Sequence, residues 1–429
     1  MAQVLLINPS AGKGGGWEGL VGLPIGLAYI GSVLIEQGYT VAALDLGGEE
    51  RDPLRRVEER IGTEAPSIVG ISCRTPEYPA ALAIARLAKE VGDGDVKVIA
   101  GGPHVTFLPR ESLAGGEIDV VVRGEGEESI VELARCFLDG KGELGSIKGI
   151  AYREDGEACV TPVRSPERDL DSLPFPARSL FAPLTAYRFP GGLSSSRGCP
   201  AGCIFCSVRS LCGRQIRLRK AERVFEESRL LLEKHGVWYV NYLDDIFTLH
   251  RPRTLALCRM LRSLGVAWSC ATRVNSVDGE LLREMKAAGC RDINYGVESG
   301  SQRILDSIGK EITKEQVRKA VRFTADAGII PLCSFMIPHP MDDRDSVRET
   351  MDFMDELNRM NADISINFTV PFPGTELYLN RKRYGIRMET ADWELFDGKH
   401  SIISTRNLSA EEVQDLVDAW MAEQAGRAR

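Results

Sequence analysis

Two α/β sheets in series are what this sequence predicts: a doubly wound parallel sheet, then a partial TIM-type (β/α)6 barrel. Three patterns carry the expectation. Over the first 140 residues, short apolar runs alternate with helical patterns, the signature of parallel strands joined by helices. A hairpin pattern and a proline-rich stretch interrupt the alternation between 141 and 190. It then resumes at Gly192 and continues through six strand–helix units. The expected division is a first domain over 1–140, a hairpin and linker over 141–190, a barrel over 191–378 and a C-terminal helical cap over 379–429.

In the first domain, residues 4–8 form an apolar run read as a buried parallel strand. A glycine-rich loop follows. Pro24 then opens an apolar helix over 25–37, with Gly38 just past its end, the usual Pro-first and Gly-last asymmetry. Further strands are expected over 39–46, 67–72, 96–100 and 119–123, with helices over 80–91 and 128–138. Ligands of such sheets sit beyond the carboxyl ends of the strands, where the loops 9–23, 72–76 and 101–107 meet. Ala11-Gly12-Lys13-Gly14 fails the phosphate-loop pattern, because the first glycine is missing and no Ser or Thr follows the lysine. A dinucleotide fingerprint fails too, for want of an acidic residue placed to read a ribose.

Residues 147–161 read as a hairpin turning at Glu154-Asp155-Gly156. The stretch 165–190 holds too many prolines for a helix or a central strand and reads as an ordered linker. The barrel strands are expected to start with the approach at 192–197, then 238–245, 267–275, 291–299, 330–338 and 364–371. Between them lie helices over 220–235, 253–264, 278–288, 314–327 and 344–358. Reactive groups of such a barrel belong at the C-terminal strand ends. A final amphipathic helix over 410–425 carries Val413, Leu416, Val417 and Trp420 on one side.

The formal net charge of −8 argues against a protein built to grip nucleic acid, which relies on Lys and Arg to neutralise phosphates. No apolar run reaches the length of a membrane span. The N-terminus reads as a strand rather than a signal peptide. With eleven cysteines, the chain is expected in the cytoplasm, its thiols reduced or bound to metal.

Three of those cysteines stand apart. Cys199, Cys203 and Cys206 form a C-x3-C-x2-C triplet in the loop after the first barrel strand, with Pro200 and Gly202 letting the backbone wrap a centre. Zinc ordinarily takes four ligands. An iron–sulfur cube held by three cysteines keeps one iron open for chemistry. The other eight, at 73, 136, 159, 212, 258, 270, 290 and 333, are scattered and indicate no second cluster.

The triplet's spacing resembles that of the radical S-adenosylmethionine (SAM) superfamily. The first domain, with Ser72 and Gly101-Gly102, is similar to the cobalamin-binding domain that precedes many of these barrels. Phe335-Met336-Ile337 and the run Phe372-Pro373-Gly374-Thr375-Glu376-Leu377-Tyr378 resemble the cobalamin-associated branch, which holds methylases of unactivated carbon and anaerobic porphyrin-ring cyclases. The resemblance implies a [4Fe-4S] cluster on Cys199, Cys203 and Cys206, SAM, and cobalamin. It implies SAM contacts at Asp244 and Asp245, at Arg273, and at Glu298 and Ser299. It implies cobalamin contacts at Ser72, Gly101, Gly102 and His104, with no protein imidazole on cobalt, because the Asp-x-His-x-x-Gly motif is absent. Relatives usually read Gly-x-Pro-Gly where this chain has Pro338-His339-Pro340-Met341, and His339 is a candidate proton acceptor from substrate.

The activity implied begins with cleavage of SAM to a 5′-deoxyadenosyl radical, which takes hydrogen from a strong C–H bond. Methyl transfer from methylcobalamin to that carbon follows. The implied partners are a small-molecule substrate and a reducing electron donor such as flavodoxin or ferredoxin, with no nucleic acid and no membrane span. Two alternatives stay open: a cyclase or rearrangement enzyme using the same cofactors, and a radical SAM enzyme whose first domain no longer binds cobalamin.

Overall fold

The computed structural model describes residues 1–9, 22–47, 52–92 and 94–427. The Ala11-Gly12-Lys13-Gly14 stretch and most of the first loop lie outside them. The chain divides into two units: one is chiefly Met1–Gly192, and the other comprises Leu193–Ser210, Arg214–Leu232 and Trp238–Arg429. Among the described residues, no helix is long and apolar enough to cross a membrane.

The first unit is built on a seven-stranded sheet. Its parallel strands run in the order Val41–Asp45, Val4–Asn8, Ile68–Ser72, Lys97–Gly101 and Val120–Val122. Almost every residue of the three inner strands is buried, which is why they read as continuous apolar runs rather than alternating ones. Helices Ile25–Glu36 and Glu127–Asp139 pack together, as do Pro53–Glu64 and Tyr78–Val91. The strand order reverses between Val4–Asn8 and Ile68–Ser72, so the ligand crevice of this sheet type opens at the carboxyl end of that pair.

Two features depart from the sequence expectation. The hairpin does not stand apart in a linker: Ile150–Glu154 pairs antiparallel with Val120–Val122, and Glu157–Val160 extends the edge. Buried Ile150 and Tyr152 complete the core there. The helix Pro53–Glu64 was not expected. Its signals are local, with Asp52 accepting from Arg55 N, Pro53 in the first turn, and only Val57 and Ile61 buried. The proline-rich stretch is anchored by the Ala177 N to Ala28 O bond and by Tyr187, whose hydroxyl donates to Asp45 at 2.8 Å.

Gly102 has φ +112°, and a Cβ there would lie 2.7 Å from the Cys73 carbonyl oxygen. Gly102→Ala should therefore destabilise the first unit by more than about 1 kcal/mol, read as a lowered midpoint in thermal unfolding.

The second unit carries a six-stranded sheet whose strand order follows the chain: Gly191–Leu193, Tyr239–Tyr242, Ala267–Thr272, Cys290–Glu298, Ile330–Ile337 and Asp363–Phe368. Alternation sets its two faces. Val240, Tyr242, Trp268, Ile293, Tyr295 and Phe335 are buried under the helices. Tyr242, Phe247 and Trp268 form one aromatic cluster with ring centroids 4.7 to 5.5 Å apart. The opposite face is polar, with Asn241 donating to Ser269 and Ser334 donating to Asn294.

The C-terminal segment does more than cap. A short pairing of Arg387–Met388 with Ile403–Ser404 brings Ile386, Phe396, Ile402 and Ile403 into one apolar cluster with Ile204 of the cysteine loop and with Ile304 and Ile308. Helix Ala410–Arg427 buries Val413 and Val417 against Ile337, Val347 and Phe368.

Candidate active site

At the carboxyl ends of the second unit's strands lies a cavity of about 360 Å³. Cys199, Cys203 and Cys206 line it together with Asp244, Asp245, Arg273 and Glu298. The groups arrive from successive strand ends, the three cysteines from one loop, the two aspartates from one strand, and Arg273 and Glu298 from the next two, as barrel architecture dictates. The cysteine loop is fixed from behind, because Ile204 N donates to Ile308 O at 3.1 Å and Leu377 N donates to Ile204 O at 2.9 Å. Burial pushes the Cys206 thiol up to about 11 and moves Cys199 in the same direction, so iron binding must displace protons here. Among the described residues, no three His, Cys, Asp or Glu side chains are drawn together as around a single ion.

The two aspartates differ. Asp244 is buried, and its carboxylate accepts from Ser195 N at 2.6 Å, Ser195 Oγ at 2.5 Å and Ser196 Oγ at 2.7 Å. Asp245 is committed to no hydrogen bond among the described residues. Burial, with the Asp244 charge adding, pushes Asp245 up to about 6. Arg273 lies beside the cysteine loop, with Nη1 4.0 Å from Cys203 Sγ, and donates through Nη2 to Lys310 O.

Glu298 ends its strand with φ +74°, just after a register shift at Gly296. Its Oε1 accepts from Lys310 Nζ at 2.7 Å, and both side chains are buried. A Cβ on Gly296 would crowd this pair, standing 2.9 Å from Lys310 Nζ. Gly296 thus clears room for the Glu298–Lys310 pair, whereas Gly300 clears room for the backbone around Thr350. Lys310 was missed in the sequence, where its only signal is a place after Gly309 and beyond a short helix, twelve residues from its partner.

Two further expectations need correction. Ser299 does not line the cavity: its hydroxyl meets Thr350 Oγ1 at 3.1 Å and accepts from Ser301 N. His339 is fully buried behind the wall, 5.9 Å from the Phe205 ring, with Nε2 3.4 Å from the Glu298 carbonyl. Burial lowers its pKa. That place does not let it take a proton from a substrate.

In the first unit, Ser72 and Gly101 are register neighbours at the carboxyl edge. The hydroxyl of half-buried Ser72 has no hydrogen-bond partner among the described residues. Among the described residues, the nearest atom to a Cβ on Gly101 is Val122 Cβ at 3.9 Å. Gly102 instead makes way for the Cys73 backbone. His104 is fully buried and stacks on Tyr78 at 4.1 Å, and burial takes its pKa down to about 4. The expectation that its ring faces a cofactor is therefore set aside.

Residues 19–134 match the B12 binding domain model and residues 193–354 the radical SAM superfamily model. An uncharacterized methyltransferase of Pyrococcus horikoshii is 33% identical over 409 residues, covering 93% of this chain and 87% of that protein. An anaerobic magnesium-protoporphyrin IX monomethyl ester cyclase of Rubrivivax gelatinosus is 29% identical, covering 97% and 76%. Among solved structures, the cobalamin-dependent SAM radical enzyme OxsB superposes with a TM-score of 0.81 at 19% identity, over 99% of this chain and 67% of that one. The chain belongs to the B12-binding radical SAM family, and its cofactors are a [4Fe-4S] cluster, SAM and cobalamin.

The residues present fit these groups. Three soft thiols and an open cavity suit the cluster. A free carboxylate on Asp245 and the Arg273 guanidinium suit the amino and carboxylate ends of SAM. Gly101 beside the Ser72 hydroxyl suits a nucleotide-tailed cofactor at the first sheet's edge.

Proposed function

We propose that this enzyme transfers a methyl group to an unactivated carbon of a small molecule. The observation that carries the reading is the cavity where Cys199, Cys203 and Cys206 meet Asp245, Arg273 and Glu298, in a chain that also holds a B12 binding domain. When bound, the cluster and SAM supply a hydrogen-abstracting radical and cobalamin supplies the methyl group. The chain's own residues place and shield. In this reading Cys199, Cys203 and Cys206 hold the cluster, Asp245 and Arg273 orient SAM, and Glu298, set by Lys310, faces the ribose hydroxyls. Ser72 and Gly101 receive cobalamin. Asp244, through Ser195 and Ser196, and the backbone of Gly102 shape these sites.

The methyltransferase name of the Pyrococcus relative favours methyl transfer. The cyclase relative supports a second reading, ring closure with the same cofactors and no net methylation. We further propose the cytoplasm as the compartment, a flavodoxin or ferredoxin as electron source, and no nucleic-acid partner, in line with the net charge of −8.

The test is anaerobic reconstitution with iron, sulfide and hydroxocobalamin, removal of excess, and quantification of bound metal. About four irons and about one cobalt per chain are expected, followed by products heavier by one methyl group when candidate small molecules are screened. Cobalt binding with 5′-deoxyadenosine formed but no mass gain would favour the cyclase reading.

A further inference from the structure

We propose that Asp244 is a positioning residue for the cluster loop rather than a SAM contact; this deepens the reading above and rests on it. The strand leading into the cysteine loop is clamped at several backbone groups between Ser194 and Ser196. Ser194 O accepts from Arg219 Nη1 at 2.9 Å, Ser195 N donates to Asp244 at 2.6 Å, and Ser195 O accepts from Arg253 Nη2 at 2.9 Å. Ser196 pairs with Leu218 in a short antiparallel ladder. Arg253 Nε also holds Arg219 O at 2.6 Å, and Arg219 is paired with Glu227 at 2.6 Å, with both side chains almost fully buried. Both Asp244 oxygens are taken up by Ser195 and Ser196, while its neighbour Asp245 keeps its own free at the cavity. Cys199 lies only three residues past Ser196, so the clamp fixes where the cysteine loop begins. A buried network of this kind, fully satisfied, holds one backbone path against alternatives.

Asparagine keeps Asp244's shape, and the serine hydroxyls can turn to accept from its amide; alanine removes the clamp. After reconstitution, Asp244→Asn should hold about four irons per chain and keep the SAM-induced change in the reduced cluster's electron paramagnetic resonance spectrum. Asp244→Ala should lose at least half its iron, and Ser195→Ala/Ser196→Ala, which leaves the carboxylate in place, should show a smaller loss. Full iron in both Asp244→Ala and the double serine variant would overturn the proposal. So would Asp244→Asn that keeps its iron but loses the SAM-induced change, since this marks direct contact through charge. If Asp244→Asn does not fold, the double serine variant and Asp244→Ala decide. Wild-type protein that takes up no iron would sink the radical SAM reading itself, a separate outcome.

Discussion

Alanine at Cys199, Cys203 or Cys206 should reduce bound iron from about four per chain to a small residue and abolish reductive SAM cleavage. The lining residues include no fourth thiol, so no substitute thiolate stands ready. Loss of an outer partner of a metal ligand typically costs about 10–100-fold. Loss of a direct ligand should exceed that, with 5′-deoxyadenosine falling to background in an anaerobic dithionite assay. The variants should still fold, because the loop is held by Ile204 in its apolar cluster and by backbone bonds to Ile308 and Leu377, none of which uses a cysteine side chain. Normal 5′-deoxyadenosine yield from any of the three would remove the cluster assignment.

Lys310→Met should be the most costly single change to stability in the cavity wall. It strands Glu298, whose side chain is 9% exposed, without its counter-charge. Breaking a buried pair from one side costs about 3–5 kcal/mol. Glu298→Gln in the same background removes the stranded charge and should recover part of the loss. Urea unfolding of the wild type, the single and the double variant measures both effects. A Lys310→Met midpoint equal to wild type would mean that the pair is solvated in solution.

Much of this architecture was legible in the chain. The strand Val4–Asn8 and helices such as Lys314–Asp326 and Arg344–Arg359 follow from apolar runs and 3.6-residue periodicity. The triplet was legible because its ligands are close in sequence. What could not be read were partners set by tertiary geometry. The Lys310–Glu298 pair leaves no pattern, and the two adjacent aspartates look alike until one is seen bound to Ser195 and Ser196. Helix Pro53–Glu64 escaped because it buries only two residues. His104 and His339 follow strand ends, which is why they read as a cofactor contact and a proton acceptor, yet both side chains are fully buried.

The apolar backing of the cysteine loop also bears on what counts as a module. The radical SAM match ends at residue 354. Val370, Leu377, Ile386, Phe396, Ile402 and Ile403, which share the cluster with Ile204, all come later in the chain. The segment matched by the radical SAM model and the segment that packs as one core are therefore different lengths. A chimera that spliced in only the recognisable portion would carry Cys199, Cys203 and Cys206 but leave their loop without most of its hydrophobic footing.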